Sequence, residues 1–113
     1  MAETLKVLET RRSCRAYKPQ LIEEEKLEKI IKAGTYAATG MGRQSPIIIA
    51  VTNKELRDKL SAMNARIMGK SEDFDPFYGA QELLIVLADK SAPTYIYDGT
   101  LVMGNLMNAA ADL

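Results

Sequence analysis

The stretch Arg11-Arg12-Ser13-Cys14-Arg15-Ala16-Tyr17 places three guanidinium groups within five residues. Each arginine presents a rigid fork of N–H donors that matches phosphate oxygens. Cations this close repel one another unless an anion lies among them, and the Ser13 hydroxyl and the turn amides add further donors. Locally, two readings stand side by side: an anion site, or a solvated basic turn whose arginines pair with the acid-rich segment at Glu23-Glu24-Glu25. Cys14 lies among these cations, a setting in which a thiol can serve as a reactive group. With no histidine or second cysteine to assist it, a small space-filling role fits better.

On the N-terminal side, Glu3 to Thr10 reads as a short helix with Leu5 and Leu8 on one face. On the other side, Lys18-Pro19-Gln20 interrupts any helix, because proline disfavours helical geometry in the residue before it. A second helix is expected from Glu23 to Ala33, with Leu27, Ile30 and Ile31 at helical spacing. Its first turn is acidic, as the helix dipole favours. Glu25 with Lys29, and Glu28 with Lys32, are supporting i,i+4 pairs, and Gly34 is the expected terminator.

Thr35 to Pro46 contains two glycines and closes on Ser-Pro, so it reads as a loop. Gly40 and Gly42 would let a backbone approach a planar ligand, and Gln44 can donate and accept at a heterocycle edge. An ordinary helix-to-strand loop is the competing reading. Ile47 to Val51 reads as a buried strand. Asn53 caps a third helix whose Leu56, Leu60, Met63 and Ile67 form an apolar stripe, and Gly69 ends it. Lys70 to Gly79 is a loop in which Phe77 and Tyr78 either line a pocket or anchor the chain. Leu83 to Ala88 is a second buried strand. Asp98 to Leu113 is helical, with Val102, Leu106, Ala109 or Ala110, and Leu113 on one face, and close packing is expected to explain Gly99 and Gly104. Met63, Met68, Met103 and Met107 read as core. Two buried strands need neighbours, so the chain is expected to be C-terminally truncated or to complete its sheet with a partner.

Composition narrows the function. The 113 residues suit one domain, and 47% are hydrophobic, which supports a packed core. Lys+Arg and Asp+Glu are 15 each, so the overall charge lacks the basic excess of a nucleic-acid binder. No histidine is present, which excludes His-based triads and His-metal sites, and the single cysteine excludes an intrachain disulfide. No metal-ligand spacing is visible. The N-terminus has no apolar signal core, and no apolar run approaches the roughly 20 residues of a membrane span. A cytoplasmic setting is expected.

Taken together, a helix, Arg-Arg-Ser-x-Arg-x-Tyr, an amphipathic helix ending Lys-Ala-Gly, and a small-residue loop closing on Gln44 before a strand resemble the N-terminal part of the nitroreductase family. So do Phe77-Tyr78-Gly79-Ala80 before the second strand and the small-residue final helix. Where family members carry Asn-x-Gln-Pro, this chain has Gly42-Arg43-Gln44-Ser45, with Pro46 one place later. The resemblance implies an α+β fold with a central, mainly antiparallel sheet flanked by helices, one FMN-binding domain over residues 1–113, and a C-terminal remainder beyond Leu113. It implies that Arg11, Arg12, Ser13 and Arg15 hold the phosphate and ribityl chain of FMN. Thr39, Gly40, Met41, Gly42 and Gln44 would pack beside the isoalloxazine, from the other subunit of a homodimer. The implied activity is an NAD(P)H-dependent flavin oxidoreductase, passing electrons from NADH or NADPH to a nitroaromatic, quinone or similar flat acceptor in ping-pong fashion, with no catalytic side chain of its own. A non-catalytic flavin binder is the alternative. A phosphate-recognition module for nucleotides or RNA is a third, disfavoured by the neutral charge.

Overall fold

The computed structural model describes residues 3–113, so two residues of the expected 1–113 domain lie outside it. The elements run α1 (Thr4–Thr10), α2 (Glu24–Thr35), a 3₁₀ turn (Gly40–Gly42), β1 (Ile47–Val51), α3 (Lys54–Ile67), β2 (Leu83–Leu87) and α4 (Tyr95–Asp112). β1 and β2 pair as a two-stranded antiparallel sheet. The chain groups into two compact units. One holds the segment through Arg12 with Glu23–Ile49 and Val86–Leu113, and the other holds Ser13–Ile22 and Ala50–Ile85.

The first unit is built on α2 against α4, with α1 also on α4. α2 buries Leu27, Ile30 and Gly34, and α4 buries Asp98, Val102 and Leu106, each set spaced to share one helix face. Burying each of these aliphatic side chains contributes about 1.5–3 kcal/mol. Gly34 does not terminate α2 as the sequence suggested. The helix runs one residue further, to Thr35, and close packing explains the glycine: a Cβ there would come within 2.6 Å of Leu106 Cδ2 and 2.8 Å of Ile48 Cδ1. The Asn105 side-chain amide donates to the Ala33 carbonyl at 2.9 Å, beside the Tyr36 N–H at 3.2 Å, and so ties α4 to the end of α2. Gly99 is a close approach, with a Cβ only 3.3 Å from that of Ala88, whereas Gly104 faces open space and packing does not explain it. In α1 the buried residue is Val7, and Leu5 and Leu8 are exposed.

The second unit centres on α3. Asn53 caps it as expected, its Oδ1 accepting from the Leu56 N–H at 2.8 Å. Gly69 follows the helix with φ +75°. The buried face, however, is Arg57, Ser61 and Ala65, while Leu56, Met63 and Ile67 of the expected stripe are exposed. Arg57 and Ser61 turn inward because Asp75 waits there. Its carboxylate accepts from Arg57 Nη2, Ser61 Oγ and the N–H groups of Phe77 and Gly79. Arg57 Nε also donates to the Ala80 carbonyl at 2.6 Å, and its guanidinium lies 5.6 Å from the Phe77 ring centre. These bonds hold the turn in which Tyr78 has φ +55° and Gly79 φ +84°. The Tyr78 carbonyl in turn accepts from the Tyr17 N–H. Phe77 and Tyr78 are therefore anchors of a packed loop, with the Tyr78 side chain half exposed.

Neither strand is buried as expected. In β1 only Val51 is buried, and β2 is intermediate except for exposed Leu87. A sheet of two strands leaves each strand one unpaired edge, so an all-apolar sequence alone does not bury it. Met63, Met68 and Met107 are likewise exposed rather than core.

Candidate functional site

The basic cluster starts where α1 stops. Arg11 is the residue that closes the helix, its N–H donating to the Val7 carbonyl. The backbone then leaves helical geometry, with φ −55° and ψ 138° at Arg11, and runs on without regular structure. Arg12 folds back: its Nη1 donates to the carbonyls of Glu9 (3.0 Å) and Arg11 (2.9 Å), groups that the end of a helix leaves bare. Arg11 is half-buried, and Arg12, Ser13, Cys14 and Arg15 are exposed. Cys14 thus fills no space in the interior. Among the described residues, no ion pair involves Arg11, Arg12 or Arg15, so the turn is not neutralised by the acidic start of α2. The acidic residues of α2 serve the helix itself, as in the Glu25–Lys29 pair at 3.3 Å.

Thr39 to Gln44 forms a tight turn within the first unit. The Gly42 N–H donates to the Thr39 carbonyl, the Arg43 N–H to the Gly40 carbonyl, and the Gln44 N–H to Thr39 Oγ1 at 2.9 Å. Met41, Gly42 and Gln44 have φ of +54°, +66° and +51°. For a non-glycine residue this left-handed geometry is costly and needs surrounding contacts to persist. The turn is fastened from outside by Asp98 of α4, whose Oδ1 accepts the Gly40 N–H at 2.9 Å. The Met41 side chain is displayed, at 89% exposed. Beside the turn, Gly34, Thr35, Ala37, Thr39, Gln44 and Ile48 line a cleft of about 320 Å³, near the lower bound of small-molecule pockets. The Ser45 Oγ is buried with no hydrogen-bond partner among the described residues.

The sequence-expected residues therefore fall into two groups: Arg11 to Arg15 as one continuous segment, and Thr39 to Gln44 as one fastened turn. Asp98 was missed. The signal was available, because an acid at i with Val102 and Leu106 at i+4 and i+8 is a charge on an apolar stripe. The sequence pattern starts the helix at Asp98, whereas it starts at Tyr95, which puts Asp98 inside the helix on its buried face. Among the described residues, no group of three or more cysteines and acids is placed to hold a metal, and no helix is long and apolar enough to cross a membrane.

Comparison with known proteins adds the lineage. The family model described as "Nitroreductase family" matches residues 8–113. A curated Archaeoglobus fulgidus protein, provisionally assigned as an NADH dehydrogenase/NAD(P)H nitroreductase, is 34% identical over 98 residues, which cover 87% of this chain and 52% of that protein. A nitroreductase from Bacteroides fragilis, solved with bound FMN, matches with a TM-score of 0.85 at 29% identity, covering 99% of this chain and 66% of the other. Another with bound FMN, from Desulfitobacterium hafniense, matches with a TM-score of 0.82 at 30% identity, covering 98% and 65%. The chain thus spans about half the length of its curated relative and about two thirds of these solved ones. Its α+β architecture is the nitroreductase fold. By the extent of the family match and the identity to the curated relative, the chain belongs to the nitroreductase family.

Proposed function

We propose that this chain forms the phosphate-holding and ring-facing part of an FMN-dependent oxidoreductase, in one domain that assembles as a homodimer. The observation that carries the reading is the state of the basic turn: Arg11 and Arg15 have no ion-pair or hydrogen-bond partner for their guanidiniums among the described residues. A dianionic phosphate matches that donor set, with the Ser13 hydroxyl beside it. Arg12 fixes the turn through Nη1 and keeps its other N–H groups for the ligand. The Thr39–Gln44 turn fits the ring end, since it displays Met41 and sets Thr39 and Gln44 in the lining of an apolar cleft.

Bound FMN supplies hydride and electron transfer, and the protein supplies position and electrostatics. Arg11 and Arg15 would neutralise the phosphate, and Thr39, Gly40, Met41, Gly42 and Gln44 would form a wall against the ring. The finer reading is that NADH or NADPH reduces the cofactor and a nitroaromatic, quinone or similar flat acceptor reoxidises it, in ping-pong alternation and in the cytoplasm. The homodimer with FMN at the interface belongs to the same proposal, and the display of Tyr36 and Met41, 75% and 89% exposed near the Thr39–Gln44 turn, supports it.

The test is direct. The purified chain, mixed with FMN and freed of excess, should retain flavin absorbance, and that absorbance should bleach when NADH is added without oxygen. Retention without bleaching by either nicotinamide would assign a non-catalytic flavin binder instead. A colourless chain would refute the reading.

A further inference from the structure

We propose that Asp98 is the positioning residue of the Thr39–Gln44 turn, fixing the wall that the proposed function sets against the flavin ring. The inference rests on that functional reading. Asp98 is the most deeply buried large side chain among the described residues, at 1% exposed. It occupies the inward face of α4 above Val102 and Leu106, where an apolar residue would suit packing. A carboxylate in such a place costs stability unless both oxygens are bonded. Both are, and both bonds converge on the turn's seat: Oδ1 accepts from the Gly40 N–H (2.9 Å) and Oδ2 from Thr94 Oγ1 (2.8 Å).

The seat is close-fitting. A Cβ on Gly40 would lie 2.1 Å from Thr94 Oγ1 and 2.9 Å from Thr94 Cβ, so only glycine brings its amide to Asp98. The turn's other hydrogen bonds join residues within it, and the positive φ values of Met41 and Gln44 carry a backbone cost that surrounding contacts must offset. The bond from the Gly40 amide to a buried, immovable carboxylate is the tie that makes this geometry persist. Asp98 makes no contact with the ring in this scheme and acts only through the turn.

The test compares Asp98→Ala with Asp98→Asn in the full chain, with two readouts. Amide hydrogen exchange at Gly40 reports the tie without any ligand. Titration with riboflavin and with FMN separates ring contacts from phosphate contacts, because riboflavin lacks the phosphate. Asp98→Ala should speed Gly40 exchange at least about tenfold, the loss expected for a charged hydrogen bond. It should weaken riboflavin and FMN by the same factor, about tenfold, whereas Arg11→Ala should weaken FMN alone. Asp98→Asn keeps an oxygen toward Gly40 and should stay within about threefold of wild type in both readouts. If Asp98→Ala does not fold, Thr94→Ala replaces it, and Gly40 exchange and riboflavin affinity should still shift severalfold. Unchanged Gly40 exchange, a loss confined to FMN, unchanged flavin affinity, or Asp98→Asn behaving like alanine would each overturn the proposal. Wild-type chain that binds neither flavin would refute the functional reading first, and the ring-side role with it.

Discussion

Replacing Asp75 by alanine removes four hydrogen bonds at once, from Arg57 Nη2, Ser61 Oγ and the N–H groups of Phe77 and Gly79. The consequence turns on Arg57, whose side chain is only 7% exposed. Stranding one member of a buried ion pair costs about 3–5 kcal/mol. Here the guanidinium keeps Nε on the Ala80 carbonyl and Nη1 on Asp58 at 3.3 Å, and Asp75 itself is 32% exposed, so the lower end applies, about 3 kcal/mol. Urea unfolding followed by circular dichroism reads this. With a slope of about 1.5 kcal/mol/M, the midpoint should fall by about 2 M. The Arg57→Met, Asp75→Ala double variant should lose less than the sum of the singles, since no charge is left stranded. A loss for Asp75→Ala below about 1 kcal/mol, the range of an exposed pair, would refute this account of the loop.

The same cluster predicts acid sensitivity. Burial pushes the Asp75 carboxyl up, but the Arg57 hydrogen bond, the Phe77 and Gly79 amides and the Arg57 charge outweigh it, leaving the group below its ordinary 3.8. A depressed folded value means the stabilisation is complete above about 3.8 and lost as pH falls through the lower folded value. Urea midpoints should therefore drop below pH 4, and Asp75→Asn should flatten part of that drop. An unaltered pH profile would contradict it. Asp58, lowered first by its hydrogen bond from Lys54, and Asp89, lowered by the Ser91 hydroxyl and amide, act in the same direction. Asn53→Ala should destabilise the chain by about 1 kcal/mol through loss of the α3 cap, and an unchanged urea midpoint would show that the cap is replaced by water. Gly40→Ala should cost about 1–3 kcal/mol by overpacking against Thr94, and thermal unfolding at wild-type temperature would mean that the seat opens without cost.

Local signals carried most of the fold. The bounds of β1, the Asn53 cap and the Gly69 stop follow from chemistry within a few residues, and the order of elements follows from periodicity. What escaped the sequence was determined by distant partners. Gly34 looks like a terminator until Leu106 and Ile48, far along the chain, are seen to need its missing Cβ. The Leu56-Leu60-Met63-Ile67 stripe looks like the inner face of α3. Asp75 reverses it, because the two polar residues Arg57 and Ser61 bond inward. Strand burial failed for another reason: apolar content says that a strand can be buried, not that neighbours within the same chain cover it. At the candidate site, Arg11 to Arg15 and Thr39 to Gln44 were visible as motifs, because charge clustering and glycine spacing are local. Asp98 was invisible as a partner of Gly40, since that bond joins residues 58 positions apart.

The central claim is that Arg11 and Arg15 hold the phosphate of FMN. The most direct measurement compares the affinities of FMN and riboflavin for the wild-type chain and for an Arg11→Ala, Arg15→Ala variant, by flavin fluorescence. Charged hydrogen bonds contribute about 1.5–3 kcal/mol each, so the wild-type chain should prefer FMN by at least about tenfold. In the double variant that preference should fall by at least about tenfold, to the remainder that Arg12 and Ser13 hold, while riboflavin affinity stays unchanged. A preference for FMN that is undiminished by the loss of both arginines would place the phosphate elsewhere and contradict the account.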